Sequence, residues 1–524
     1  MGPTPTARTN VVAGSLVFAA LLAVYHLNGD FLPGNDATPN VYLPVSLLNE
    51  GNLTFSPPEA PFMFHWALQT PRGWARIPFI RSFDEDPRMP QLYANGTLIA
   101  ERPQYYLLPT RQPGEFVGQY GPGAGLTALP VFAVLHVVSG NLMNQPRLLW
   151  FAAKFVAAAA VAGSAVFLYL LAMRFVPRRQ ALLITALYGL GTCVWSLGSQ
   201  TLWQHGPNLL FLAMGTYYLI RAGERRRYAA LCAVAYAAAV VCRPTSALYI
   251  LAAGGYLVIV HRKTLWTFVL AGLPIGIAFA AFNSYFLGSP LDFGQAERGK
   301  AIAQYKTGSD EVWRWSSLPG NAAGQLVSPS RGLLVFSPFV VFSAWGAWRV
   351  WRDRTYVALR PVTVALVLTF LVTFAWFDWW GGWSFGPRLL VDTMPLLAAL
   401  LMPVVGWIFQ SRRRLTVFLV LGLWSVFAQV VGAFAYDLEG WNALKTYEIL
   451  VEGEREPRLI LDGEEARRLT DGGAKLNRVI AKDVDRPEYR HRLWSIADNP
   501  IVYYTTHFRQ ARQAKREMMR AWIR

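Results

Sequence analysis

The chain has 524 residues, 53 % of them hydrophobic and 15 % charged, with a formal net charge of +17 and a mean hydropathy of +0.27. Soluble proteins carry about a quarter charged residues, so this composition excludes an ordinary soluble domain. Repeated apolar stretches of roughly 18–25 residues point to spanning helices and exclude a transmembrane β-barrel, whose segments are short and alternating.

Eleven stretches read as spans: 11–28, 148–173, 180–199, 205–221, 228–242, 246–260, 265–284, 333–350, 358–377, 389–409 and 415–436. The first ends in VYHLNGD, without a small-x-small cleavage site, and is read as a retained span rather than a signal peptide. Segment 124–139 is also apolar, and the basic runs decide its reading. Arg8 precedes the first span. Arg174/Arg178/Arg179, Arg221/Arg225/Arg226/Arg227, Arg262/Lys263, Arg349/Arg352/Arg354 and Arg412/Arg413/Arg414 each follow every second span. All of them lie on the cytoplasmic face only if 124–139 does not cross, so it is expected as an interfacial or re-entrant helix. The fold expected is an all-α polytopic membrane protein of about 11 transmembrane helices, with the N-terminus inside and the C-terminus outside. Little but Glu224 and Asp353 offsets the inside runs, so they supply most of the +17 net charge and a nucleic-acid partner is not needed to explain it.

The non-membrane residues gather on one side, in outside segments 29–147, 285–332 and 437–524. The chain divides into a membrane domain, 1–436, and an outside C-terminal extension, 437–524. Within the first segment, 40–50 has helical spacing and is expected on the membrane surface. The final stretch, 506–524, is basic and helix-prone, with Trp494, Tyr503, Tyr504 and Trp522 expected at headgroup level. Cys193, Cys232 and Cys242 fall within spans, so no disulfide holds the outside segments, and no Cys/His cluster has metal spacing.

Asp36, just after the first span, is a carboxylate at a membrane face, placed to take a proton from an acceptor. The plain alternative is a turn or N-cap aspartate. Asp84–Glu85–Asp86 resembles the acid-x-acid pattern of nucleotide-sugar enzymes. Those donors are cytoplasmic and this segment is outside, so a solvated acidic turn is the better reading. Three outside cations, Arg147, Arg331 and Arg388, each lie near a span start. A guanidinium suits phosphate because its planar fork gives bidentate, charge-assisted bonds. The plain alternative is headgroup contact. Arg388 stands apart in WFDWWGGWSFGPRLL, where Gly386-Pro387 restrict the backbone and Trp380 and Trp383 are expected to exclude water and to contact the sugar or lipid. Asp378 and Asp392 are expected to orient Arg388. Tyr120, in VGQYGPGAGL, and His205, at the head of the fourth span, are expected to line a cavity. Lys154 and Arg243 are the ionisable residues visible within spans, and no charged midplane site of the transporter type is seen.

Several stretches together resemble the GT-C membrane glycosyltransferases, especially the bacterial relatives of protein O-mannosyltransferases and of the lipid A aminoarabinose transferase. They are GNDATPNVYLPVSLLNEGNL, QYGPGAGLTALPVF, the pair FNSYFLGSP and SPSRGLLVFSP, and WWGGWSFGPRLLVDTMPLL. The family commonly shows an acidic pair where this chain has Asp36-Ala37. The resemblance implies Asp36 as the catalytic acid. It also implies a polyprenyl-phosphate-linked sugar as donor and an inverting transfer to a glycan, lipid or protein acceptor reached from outside. Arg388, with Arg331 as a second candidate, would hold the departing phosphate. No cofactor is required by this reading, and a divalent metal is left open. Two rival classes stand beside it: a lipid-sugar or solute transporter without covalent chemistry, and a structural or assembly protein.

Overall fold

The computed structural model describes residues 7–70, 73–78, 106–451, 458–460, 468–470 and 472–523. Asp84–Glu85–Asp86 lies outside them.

Each of the eleven apolar stretches is largely helical. Four helices, Pro146–Ala172, Arg262–Phe286, Arg354–Ala375 and Arg412–Ala435, are long and apolar enough to cross a membrane. A fifth candidate is broken. Its halves, Arg388–Ala399 and Met402–Phe409, meet at 59°. Pro403 explains the break, because it brings no N–H to continue the first half. The remaining apolar helices are shorter, so the chain is a multi-pass membrane protein whose described helices do not by themselves give eleven full-length spans.

Helices Ala7–His26, Pro146–Ala172, His205–Ile220, Arg226–Cys242 and Arg262–Phe286 pack each against the next. Small residues allow this close approach. Ala153, Ala157, Ala158, Ala162 and Ala165 line the buried faces of Pro146–Ala172. In lipid there is little hydrophobic drive between helices, and such tight contact supplies packing instead. On the other flank, Arg412–Ala435 lies against Arg178–Gly191, and Arg360–Ala375 against Ala247–Val260.

The expectation of an all-α chain needs one amendment. Small antiparallel sheets occur in the segment 29–147 and in the tail, among them Leu107–Pro109 with Phe116–Gly118, and Ala443–Leu450 between Arg458–Ile460 and Lys475–Asp483. Backbone outside the bilayer can pair between strands without the penalty that lipid imposes on open edges.

Two outside helices were expected at the membrane surface. Gly123–Ser139 forms as a helix. Thr38–Glu50 also forms, and protein covers much of it. Its residues 38–46 are buried and it packs on Gly123–Ser139. Of the aromatics expected at headgroup level, Tyr504 is fully buried in the tail.

The aromatic turn before the broken helix depends on glycine. Gly381, Gly382 and Gly386 take φ of 68°, 64° and 74°, a region that costs other residues roughly 1–2 kcal/mol. At Gly386 space is also short: a Cβ would lie 2.8 Å from the Phe336 ring.

Candidate active site

Asp36 sits in a single tight turn, Asn35–Ala37, at the head of helix Thr38–Glu50. The loop around it is stitched to the segment preceding His205. Leu32 N–H donates to the Gln200 carbonyl at 3.0 Å, and Asn40 Nδ2 donates to the Leu202 carbonyl at 3.1 Å. Gly34 lies flat on Trp203, where a Cβ would come within 3.0 Å of the indole nitrogen.

Arg388 opens the stretch Arg388–Thr393, immediately beyond Gly386-Pro387. Its guanidinium donates to the Asp36 carboxylate across 352 positions of sequence, forming an ion pair. The guanidinium carbon also lies 4.5 Å from the centre of the Trp203 ring. Both side chains are only 14 % and 11 % exposed. Fixed in so little water, their attraction is stronger than that of a surface pair, and loss of either would strand a charge.

Tyr120 closes this group. Burial, reinforced by the Asp36 charge, pushes its phenol above the ordinary value, so it stays protonated. Its position follows from the glycines after it. A Cβ on Gly121 would lie 2.1 Å from the Val241 carbonyl oxygen, and one on Gly123 would lie 2.6 Å from the Cys242 nitrogen. The turn is thereby pressed against the helix end that leads into Arg243.

A second buried cluster adjoins the first. Asp392 pairs with Arg243 at 2.7 Å and with His205 Nδ1 at 3.2 Å. Arg243 Nη1 is 2.8 Å from the same histidine nitrogen, so that nitrogen lies between a guanidinium and a carboxylate. Tyr249 donates to the Asp392 carbonyl at 2.7 Å. The charges of Arg388 and Arg243 both act on His205, and those of Asp36, Arg388 and Arg243 all act on Tyr120. The two clusters are therefore electrostatic neighbours, with two carboxylates balanced by two guanidiniums.

The structure thus brings together Asp36, Arg388, Tyr120, His205 and Asp392. It does not bring Arg331, Asp378, Trp380 and Trp383 to the same task. Arg331 is 1 % exposed, and its donors go to protein oxygens: Nε to Trp380 O at 2.9 Å, Nη1 to Ser330 O at 3.0 Å, and Nη2 to Asn442 Oδ1 at 2.7 Å and Gly382 O at 3.2 Å. It braces the glycine turn against the tail. Asp378 pairs with buried Lys306 at 2.7 Å and receives the Gly382 N–H. Trp380 and Trp383 aim their indole N–H groups at Asp485 and Asp483 of the tail, at 2.8 and 2.9 Å. Asp378 and Asp392, expected to orient Arg388, are instead paired with Lys306 and with Arg243 and His205 respectively.

Sequence reasoning missed Trp203 and gave Arg243 no task. Trp203 had a signal, since it directly precedes the Gln204-His205 pair. Arg243 had one too, as a guanidinium beside a proline at a break between two short apolar stretches. Among the described residues, no group of three or more His, Cys, Asp and Glu is placed to hold a metal.

A bundle of apolar helices with a buried carboxylate–guanidinium pair describes a multi-pass membrane protein with a polar cluster inside it. Comparison with known proteins adds a class. Residues 147–286 match the family model described as dolichyl-phosphate-mannose-protein mannosyltransferase, which agrees with the GT-C glycosyltransferase resemblance of the motifs. No curated relative matches the chain. Among solved structures, the archaeal oligosaccharyltransferase AglB from Archaeoglobus fulgidus, in complex with an inhibitory peptide and a dolichol-phosphate, aligns at 9 % identity and TM-score 0.46. That alignment covers 80 % of this chain and 55 % of the other. The Archaeoglobus fulgidus oligosaccharyltransferase in the apo form aligns at 13 % identity and TM-score 0.45, covering 81 % and 55 %. The chain spans about half the length of both.

Proposed function

We propose that this protein is a glycosyltransferase that moves a sugar from a polyprenyl-phosphate donor to an acceptor on the outer face of the cytoplasmic membrane, with inversion. The observation that carries the reading is the buried pairing of Asp36 with Arg388. A lone base and a lone phosphate-type cation, distant in sequence, meet at one point. The family-model match over 147–286 supports the same class. In this reading the eleven apolar stretches all cross, the N-terminus is cytoplasmic, and 29–147, 285–332 and 437–524 lie outside.

The chemistry needs little else. The acceptor oxygen or nitrogen attacks the anomeric carbon. The bond from that carbon to the phosphate oxygen breaks, and its electron pair leaves on a lipid phosphate that is stable as an anion. The acceptor proton passes to Asp36, a general-base role worth roughly 10²–10⁴ in rate. One displacement at the anomeric carbon inverts its configuration. Because the leaving group needs no proton, the second carboxylic acid of a glycoside hydrolase is dispensable.

The ion pair refines the expected geometry. Base and clamp are not held at opposite ends of an empty gap but touch. Donor binding therefore exchanges one anion for another on Arg388: phosphate oxygens replace the Asp36 carboxylate, since both suit the guanidinium fork. The carboxylate, released from its cation, becomes the stronger base. Tyr120 and the Arg243–Asp392–His205 cluster fix the walls around this exchange.

The test is transfer. Purified protein given polyprenyl-phosphate-mannose and a cell-envelope acceptor fraction is expected to release lipid phosphate. Asp36→Asn is expected to abolish release while donor binding persists. Donor binding by the wild type without any release, across donor sugars, would sink the reading and leave the transporter class.

A further inference from the structure

The terminal helix Phe508–Trp522 takes no part in the site just described, yet its arginines are arranged in a row. Arg509, Arg512, Arg516 and Arg520 recur at spacings of three and four, which puts them on one helical face. Together with Phe508 and Glu517 they line a cavity of ≈ 510 Å³. The opposite face holds the helix down. Ala511 and Lys515 are buried. Lys515 Nζ donates to the Ala433 carbonyl at 2.7 Å, near the end of Arg412–Ala435. Trp522 stands edge-on to Trp150 at 5.7 Å, near the start of Pro146–Ala172. Both of those helices are long and apolar enough to cross a membrane. The terminal helix therefore lies across the ends of two spans, at the membrane boundary.

We infer that this arginine face is a binding site for anionic phospholipid headgroups of the adjoining leaflet. Four guanidiniums share one face, and among the described residues the acids beside them are few. Glu517 is taken up by Gln513 at 3.0 Å, and Asp30 reaches Arg516 at 3.4 Å. Arg512 lies over the Phe434 ring at 5.5 Å, which fixes its guanidinium on this face. A second cavity of ≈ 450 Å³ begins where the helix ends, lined by Arg147, Leu148, Phe151 and Ile523. It offers a fifth guanidinium above an apolar floor, which is the profile of a headgroup with an acyl chain beneath it. Phosphate oxygens at this depth would take charge-assisted bonds from the fork of Arg512 and its neighbours. Basic residues beside an anionic surface each add about fivefold to binding, the equivalent of ~1 kcal/mol.

The experiment uses the full chain reconstituted in phosphatidylcholine bilayers and measures how strongly spin-labelled phosphatidylglycerol is held relative to spin-labelled phosphatidylcholine. The wild type is expected to prefer the anionic lipid. Arg509→Gln/Arg520→Gln, which removes two exposed side chains without touching a buried contact, is expected to lower that preference by more than tenfold in the association constant. Arg509→Gln/Arg512→Gln/Arg520→Gln is expected to lower it further. Arg412→Gln/Arg413→Gln/Arg414→Gln, at the other end of the last long helix, controls for the general attraction of basic loops and is expected to leave the arginine-face contribution intact. A preference unchanged in the first double variant overturns the inference. So does equal loss in the control variant. Displacement of the lipid by millimolar inorganic phosphate at constant ionic strength would also overturn it, because the site would then be one for a free anion. Lipid preference is read without any transfer reaction, so this inference stands or falls separately from the glycosyltransferase reading.

Discussion

Arg331 and Arg388 look alike in sequence: each is a guanidinium in a Ser-, Gly- and Pro-rich turn just ahead of an apolar stretch. The fold gives them opposite situations. Arg331 is enclosed by backbone carbonyls and an asparagine amide. Arg388 meets a carboxylate and an indole face. A carbonyl fixed in a folded turn has no reason to yield to a ligand, whereas a carboxylate and a phosphate compete for the same fork on equal terms. The kind of counter-group, more than burial, separates a brace from a clamp. The same contrast divides the turn that lies between them. Its first half, with Asp378, Trp380 and Trp383, is bound to Lys306 and to the tail acids. Its last residue alone is delivered to Asp36.

The sharpest way to break that contrast is through the site pair. Asp36→Asn is expected to cut transfer by roughly 10²–10⁴, measured as lipid phosphate released per unit time, with donor affinity unchanged or raised because the competing carboxylate is gone. Arg388→Gln is expected to cost about 3–4 kcal/mol of transition-state stabilisation by analogy with an oxyanion donor, seen mainly as lost kcat. Arg331→Met should behave in the opposite sense. It leaves several buried carbonyls unpaired, at roughly 1–3 kcal/mol each, so thermal stability falls while the folded fraction keeps near-normal kcat. If Arg331→Met protein of intact stability loses transfer and donor binding, Arg331 is a clamp and the contrast fails. Gly386→Ala sits between the two regions. The positive φ and the Phe336 contact predict a loss of about 1–2 kcal/mol and a displaced Arg388, so both stability and transfer should drop.

Much of this was legible beforehand for physical reasons. Apolar length and the alternation of basic runs located all eleven helical stretches, because lipid obliges a spanning backbone to satisfy itself locally. Asp36 and Arg388 stood out because their flanks, Gly-Asn before one and Gly-Pro before the other, mark turns at the ends of spans. What was not legible depends on partners far away in the chain. Nothing near Arg331 announces that Asn442 and the Trp380 carbonyl will surround it, and nothing near Asp392 announces Arg243. Thr38–Glu50 had the periodicity of a surface helix, but periodicity does not say whether lipid or Gly123–Ser139 covers the apolar face. The bend at Met402 likewise required knowing which of several prolines would coincide with a change in packing.

The smallest expected effect concerns the brace region and is read by pH. Asp437 follows the last long helix and is buried, with the Tyr504 hydroxyl donating to it at 2.7 Å and the Gly440 N–H at 3.0 Å. Burial outweighs these donors and pushes its carboxyl up to about 6. Its neighbour in sequence, Tyr436, accepts at its hydroxyl from Asn442 Nδ2, the residue that receives Arg331, so titration here is expected to reach the brace. An unfolded aspartate has a pKa of about 3.9. Between there and about 6 the folded protein keeps a proton that the unfolded chain releases, so its stabilising contribution is complete below about pH 4 and is lost as pH rises toward 6. Apparent melting temperature is expected to fall by a few degrees over that interval, and Asp437→Asn, which mimics the protonated side chain, is expected to flatten the dependence. Donor affinity at Arg388 should not follow the Asp437 transition. If it does, brace and clamp form one coupled unit, and the separation drawn between the two arginines has to be abandoned.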